Sequence, residues 1–183
     1  MSLELEKNAE SAAWTGVYDV INIAQSDLFD ELHDLRGIGA TPIRIGAMDF
    51  GVDFMVDSLI QKVKKSGAID LLRIHGHGVP GLQTVSSGMK LEKKSLPYLR
   101  SIISSFNFVH IQKCLAGLQG LFAANAQVWL MGCEVGAGFQ GSLLVNNLAK
   151  LWRVPVKAGF LEQFAGFGTT TFELEGPTIT GLP

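Results

Sequence analysis

Only two cysteines, Cys114 and Cys133, occur in the 183 residues. A disulfide framework is therefore excluded as the basis of the fold. Charge of one sign is also missing: 15 basic residues stand against 17 acidic ones, for a net charge of −2. With no basic footprint, no nucleic acid is expected as a partner. No apolar run approaches the roughly 20 residues that a membrane-spanning helix needs, so no membrane is expected either. Internal repeats and low-complexity linkers are absent. The opening MSLELEKNAES is polar and acidic, unlike a secretory signal. A reduced, cytoplasmic protein is the expectation, with export by a route lacking a cleavable signal left open. What the chain does have is 47% hydrophobic residues, enough for one domain with a substantial core.

Strand and helix signals alternate along the chain. After a polar lead-in over residues 1–14, the β-rich run 17–24 predicts a first strand. Ser26 is a candidate cap for a helix that carries Leu28, Phe29, Leu32 and Leu35 on one face and stops at Gly37. A second strand is expected over 42–47, a helix over about 53–65, and a third strand over 69–74. A hairpin around residues 86–88 follows, with arms at 82–85 and 89–91. Ser95 then opens a predicted helix bearing Leu96, Leu99, Ile102, Ile103 and Phe106. Another helical pattern covers about 111–124. A fourth strand is expected at 127–131, a helix at about 139–152, a fifth strand at 154–158 and a sixth at 169–174. Residues 177–183 read as a loose end. Such alternation predicts an α/β domain over 15–176, a three-layer αβα sandwich around a mostly parallel sheet of about six strands.

Two stretches share one grammar. Ile69–Gly81 is an apolar run ending in His75-Gly76-His77-Gly78, and Val128–Gly141 is an apolar run ending in Gly132-Cys133 before a glycine-rich turn. Ligands of open α/β sheets bind beyond the C-terminal ends of strands, where both motifs fall. A thiol becomes a nucleophile when a base or positive neighbour raises its thiolate fraction, and histidine suits that task. Of the four histidines, His33, His75, His77 and His110, none follows Cys133. That order excludes intact papain-like peptidases, glutaminase-type amidases and α/β-hydrolases. His77 precedes Cys133 by 56 residues, close to the caspase spacing of roughly 50.

With His77-Gly78-Val79-Pro80-Gly81 and Gly132-Cys133-Glu134-Val135 through Gly138, the chain resembles the caspase-fold (clan CD) cysteine peptidases. It is most similar to bacterial caspase-like domains with HGxPG and GCxVxxG motifs. The resemblance covers about residues 17–160. It implies an endopeptidase that needs no cofactor and no metal, acts on a peptide or protein substrate, and forms its pocket with an activating partner or as a homodimer. Cys133 is the implied nucleophile and His77 the acid and base. Gly78, lacking a Cβ, would let its N–H join that of Cys133 in an oxyanion hole. Relatives that cleave after Arg or Lys place an acid two residues before the cysteine, where this chain has Met131. Asp27 and Asp49, which follow the first and second strands, and Glu134 are the candidate substrate-binding acids.

Other readings stay open. One is a binding or scaffold module on the same fold with no peptidase activity. Another is a Rossmann-like nucleotide-binding domain, since Gly136-x-Gly138-x-x-Gly141 follows a strand and precedes a helix, although four residues separate it from that strand. His75 reads as structural, or as a zinc ligand with His77, though no second pair of metal-site spacing accompanies them. Phe160, Phe164 and Phe167 suit one helix face packed in the core.

Overall fold

The computed structural model describes residues 16–24, 28–46, 51–86, 99–163 and 173–183. The expected lead-in over 1–14, the candidates Asp27 and Asp49, the hairpin arm at 89–91, and Phe164 and Phe167 all lie outside the described residues.

The main sheet has six strands. In chain order these are β1 (Val17–Asn22), β2 (Ile43–Ile45), β3 (Ile69–His75), β7 (Phe122–Leu130), β8 (Val156–Gly159) and β9 (Thr178–Gly181). Their spatial order is β2-β1-β3-β7-β8-β9, all parallel except β9. A central parallel strand is buried on both sides. The sequence of β3, IDLLRIH, meets that demand, with six of its seven residues buried. Among the described residues three helices cover one face: α2 (Val52–Ser66), α3 (Phe108–Leu115) and α4 (Gly138–Trp152). Met55, Val56 and Leu59 of α2, Ile111 and Leu115 of α3, and Leu144, Val145 and Leu148 of α4 form one core with Val20, Leu72, Ile74, Val128, Leu130 and Val156. On the other face Leu28, Leu32 and Leu35 of α1 (Leu28–Gly37) cover Ile21. The result is a three-layer α/β sandwich. Among the described residues no helix is long and apolar enough to cross a membrane.

Three sequence expectations change. The stretch expected as a helix from Ser95 contains a strand, β6 (Ile102–Ser104), while Phe106 is exposed. Two β-branched isoleucines in a row favour the pleated alternative. There, β6 completes a small antiparallel sheet with β5 (Leu82–Thr84) and β4 (Gly78–Val79). The helix expected over 111–124 stops early: α3 gives way to a 3-10 turn at Ala116–Leu118, and β7 begins at Phe122. Gly120, at a φ of +79°, is the breaker. Finally, the expected loose end at 177–183 holds β9, which pairs antiparallel with β8. Of the sixth strand expected at 169–174, residues 173 and 174 are not in a strand and the rest lie outside the described residues. The β-branched triplet Thr178-Ile179-Thr180 carries the edge strand instead.

Candidate active site

Both motifs emerge from the same end of the sheet. β3 ends at His75, and β7, its parallel neighbour, ends at Leu130, with Met131 N–H donating to the Ile74 carbonyl at 2.9 Å. Parallel strands deliver their loops to one side. The helix α4 crosses between parallel β7 and β8, so its N-terminus lies at that side as well. Its N-cap, Ala137, makes no side-chain cap bond, which leaves the positive end of the helix dipole near the Cys133 turn.

The two loops touch through their glycines. A Cβ on Gly78 would lie 2.4 Å from Val135 Cγ2 and 2.6 Å from the Cys133 carbonyl oxygen. A Cβ on Gly132 would lie 2.9 Å from both the Gly78 nitrogen and the Gly76 carbonyl oxygen. No side chain fits between these backbones. Thr84 N–H donates to the His77 carbonyl at 2.8 Å, so His77/Thr84 is a hydrogen-bonded pair of the β4–β5 hairpin. Gly78 and Gln83 are the next pair, and in an antiparallel ladder the next pair is not hydrogen-bonded. The Gly78 N–H therefore faces away from β5, on the side where Gly132 lies. Among the described residues the Cys133 N–H donates no backbone hydrogen bond.

A residue that sequence reasoning missed joins the loops. Gln83, fully buried on β5, accepts the Gly132 N–H on Oε1 at 2.9 Å and donates from Nε2 to the Thr84 carbonyl at 3.2 Å. Its only signal in the sequence is an amide inside an apolar run, which resembles many solvent-facing strand residues.

His77 is half-buried on the loop after β3, and Cys133 is half-buried on the turn after β7. The Cys133 sulfur accepts the Gln163 N–H at 3.4 Å, and its S–H reaches the Gln163 carbonyl at 3.6 Å. Glu134 has an exposed side chain and a left-handed backbone, φ +54°, with its N–H bonded to the Leu161 carbonyl at 2.9 Å. A left-handed non-glycine residue is uncommon and costs of order 1 kcal/mol. Here it turns the chain sharply between Cys133 and α4.

The fingerprint glycines serve packing. Gly136 N–H donates to the Gly159 carbonyl at 2.8 Å and Gly141 N–H to the Ala137 carbonyl at 3.1 Å, while a Cβ on Gly141 would lie 2.3 Å from the Gly136 carbonyl carbon. The first of these N–H groups is engaged by β8 and the second within the helix start, which disfavours a phosphate cradle. Among the described residues no group of three or more His, Cys, Asp or Glu side chains could hold a metal ion.

The second histidine of the motif is elsewhere. His75 is fully buried on the α1 face of the sheet, with Nε2 3.0 Å from Asp19 Oδ1 and Nδ1 in a short hydrogen bond with Glu31 Oε1. Arg73 binds both oxygens of Asp19, at 2.7 and 3.1 Å. Burial opposes a positive charge on His75, but the hydrogen bonds and charges of Asp19 and Glu31 prevail and hold its pKa above the ordinary histidine value. Burial likewise opposes charge on Asp19, yet the hydrogen bonds from His75 and Arg73 hold it below the usual carboxylate range. The other cysteine, Cys114, has its thiol pushed up to about 12 by burial and by adjacent Asp53.

No family model, no curated protein and no solved structure matches this chain.

The closeness at Gly78 carries a prediction. Gly78→Ala should destabilise the protein by about 1–3 kcal/mol through overpacking, with Tm read by calorimetry. An unchanged Tm would mean that the loops do not meet as described.

Proposed function

We propose that the chain is a caspase-like cysteine endopeptidase acting through a His77–Cys133 dyad. The observation that carries this reading is the meeting of the His77–Gly78 loop with Gly132-Cys133 at the C-terminal end of the sheet, with the Gly78 N–H turned away from its own hairpin. In this reading the Cys133 thiolate attacks the scissile carbonyl. The Gly78 and Cys133 N–H groups hold the oxyanion, a role worth a few kcal/mol per donor. His77 protonates the leaving amine as the thioester forms, then takes a proton from the water that hydrolyses it. No step needs a cofactor. Glu134, exposed beside the nucleophile, is the described candidate for contacting substrate; Asp27 and Asp49 keep that assignment on their sequence positions alone. A peptide or protein substrate, a cytoplasmic setting and assembly with an activating partner or a second copy complete the proposal.

The test is the alkylation rate of Cys133 against pH, in the wild type and in His77→Ala. Cys114 is the internal control, since a thiol at about 12 is almost wholly protonated at neutral pH and reacts slowly. The proposal expects Cys133 to react at least tenfold faster below pH 7 than a free thiol such as N-acetylcysteine under the same conditions, and His77→Ala to remove most of that advantage. A second reading, an interaction module without peptidase activity, is favoured by the engagement of the Cys133 sulfur with both backbone groups of Gln163. It expects Cys133 to react like an ordinary or shielded thiol, with no dependence on His77.

A further inference from the structure

The Glu31–His75–Asp19–Arg73 cluster is not used by the chemistry above, yet it sits two residues before His77. Carboxylate oxygens accept hydrogen bonds and donate none unless protonated. Both ring nitrogens of His75 face carboxylates, so both carry a proton when Asp19 and Glu31 are ionised. Charge leads independently to the same state. Two buried carboxylates stand against one guanidinium, and the cluster is neutral only if the imidazole is positive. A buried net charge is costly, which favours the proton.

The cluster ties three elements together. Asp19 comes from β1, Glu31 from α1, and Arg73 with His75 from β3. Arg73 holds both Asp19 oxygens, so the carboxylate cannot rotate away from the ring. Among the described residues the other charges near the cluster are Arg44 of β2, across from Ile21 and exposed, Lys157 of β8, over the Trp129 ring, and Lys62 of α2, which attracts Asp19 from a distance. β7 presents neutral Trp129 beside Arg73. Immediately after His75 the chain has no slack, because a Cβ on Gly76 would lie 2.4 Å from the Thr84 carbonyl oxygen. The position of the His75 backbone thus dictates where His77 and Gly78 arrive.

We propose that His75 is a buried imidazolium clamp, a positioning residue that sets the His77–Gly78 loop against Gly132-Cys133; its bearing on catalysis rests on the dyad reading of that loop. Loss of the His75 proton at alkaline pH leaves two carboxylates facing a ring that can donate to only one of them. The strand end shifts, and the loop loses its register before the domain unfolds.

The experiment combines three readouts on the intact chain. Nitrogen-detected NMR of labelled histidines should show one ring with both nitrogens protonated throughout the neutral range. Amide exchange at Thr84 and Met131, whose N–H groups donate to the His77 and Ile74 carbonyls, normalised to the core amide of Val145, should quicken at least tenfold in His75→Gln, and Glu31→Gln in the same chain should restore most of the protection by rebalancing charge. The His77-dependent part of Cys133 alkylation should fall in parallel. A merely structural histidine would loosen the loop and Val145 together and leave the normalised value unchanged. If His75→Gln does not fold, the wild type decides alone, because its normalised loop protection should drop as the doubly protonated ring signal disappears at high pH. A bare ring nitrogen at pH 7, or loop protection that ignores the His75 proton, overturns the clamp. If alkylation shows no His77 dependence even in the wild type, the dyad reading fails, and amide exchange still decides the clamp.

Discussion

Cys133→Ala is expected to abolish cleavage of a diverse peptide library, a loss on the order of 10⁴-fold or more, as follows when a covalent nucleophile is deleted. His77→Ala should cost about 10²–10⁴-fold, the usual range for general acid–base catalysis. Cys114→Ala should stay within about twofold, because a half-buried thiol pushed up to about 12 takes no part in chemistry near neutrality. Product peptides counted by mass spectrometry make the comparison without assuming a specificity. Thermal melting of each variant separates lost chemistry from lost fold. Comparable cleavage by a folded Cys133→Ala protein would end the peptidase reading, because no other described residue is proposed to supply the acyl intermediate.

The second large effect concerns stability. Asp19→Ala strips the shared acceptor from two buried cations, leaving Arg73 without its carboxylate and His75 with Glu31 alone. Breaking a buried ion pair on one side costs about 3–5 kcal/mol. For a domain of this size that lowers Tm by on the order of 10 °C. The sign of the pH dependence follows from the two shifts. The folded pKa of Asp19 is lowered, so its stabilisation is present above its unfolded value near pH 4 and fades as acid titrates it at the lower folded value. The folded pKa of His75 is raised, so its stabilisation is full below about pH 6.5 and fades as pH rises through the higher folded value. The Tm gap between wild type and Asp19→Ala should therefore be widest between about pH 4 and pH 6.5. It should close in acid. On the alkaline side it should shrink only partly, since the Asp19–Arg73 pair survives. A gap independent of pH would mean that these groups do not titrate as a unit.

Local pattern made much of the sheet legible. Ile69–Ile74 and Gln127–Met131 are apolar runs ended by glycine, and the structure has strands at both. The 3.6-residue spacing of Val56, Leu59 and Val63, and of Leu144 and Leu148, marked two helices within a residue or so of their observed ends. Where local pattern and long-range pairing disagreed, pairing won. Ile102 and Ile103 fit a helical face, yet β5 offered a partner strand. Thr178–Thr180 looked like an untidy end until β8 supplied an edge. At the candidate site, glycines and histidines were visible as residue types, but their partners were not. If β3 had continued, His75 and His77 would share a side; it stops at His75, and Gly76 carries His77 off the strand. Asp19 and Glu31 gave no sign of partnership, because nothing local links residues 19, 31, 73 and 75. Gln83 was silent for the same reason.

The single amide of Gln83 has a consequence for the order of folding. It joins positions 49 residues apart, and those positions meet only once β7 has aligned beside β3. Closing so long a loop is entropically slow compared with forming α2 or the β4–β5 hairpin. The candidate site is thus a late product of folding. In the dyad reading, a nascent chain that has finished its hairpin but not β7 carries the histidine half of the pair with nothing to act beside, and stays without that chemistry until the sheet gains its fourth strand.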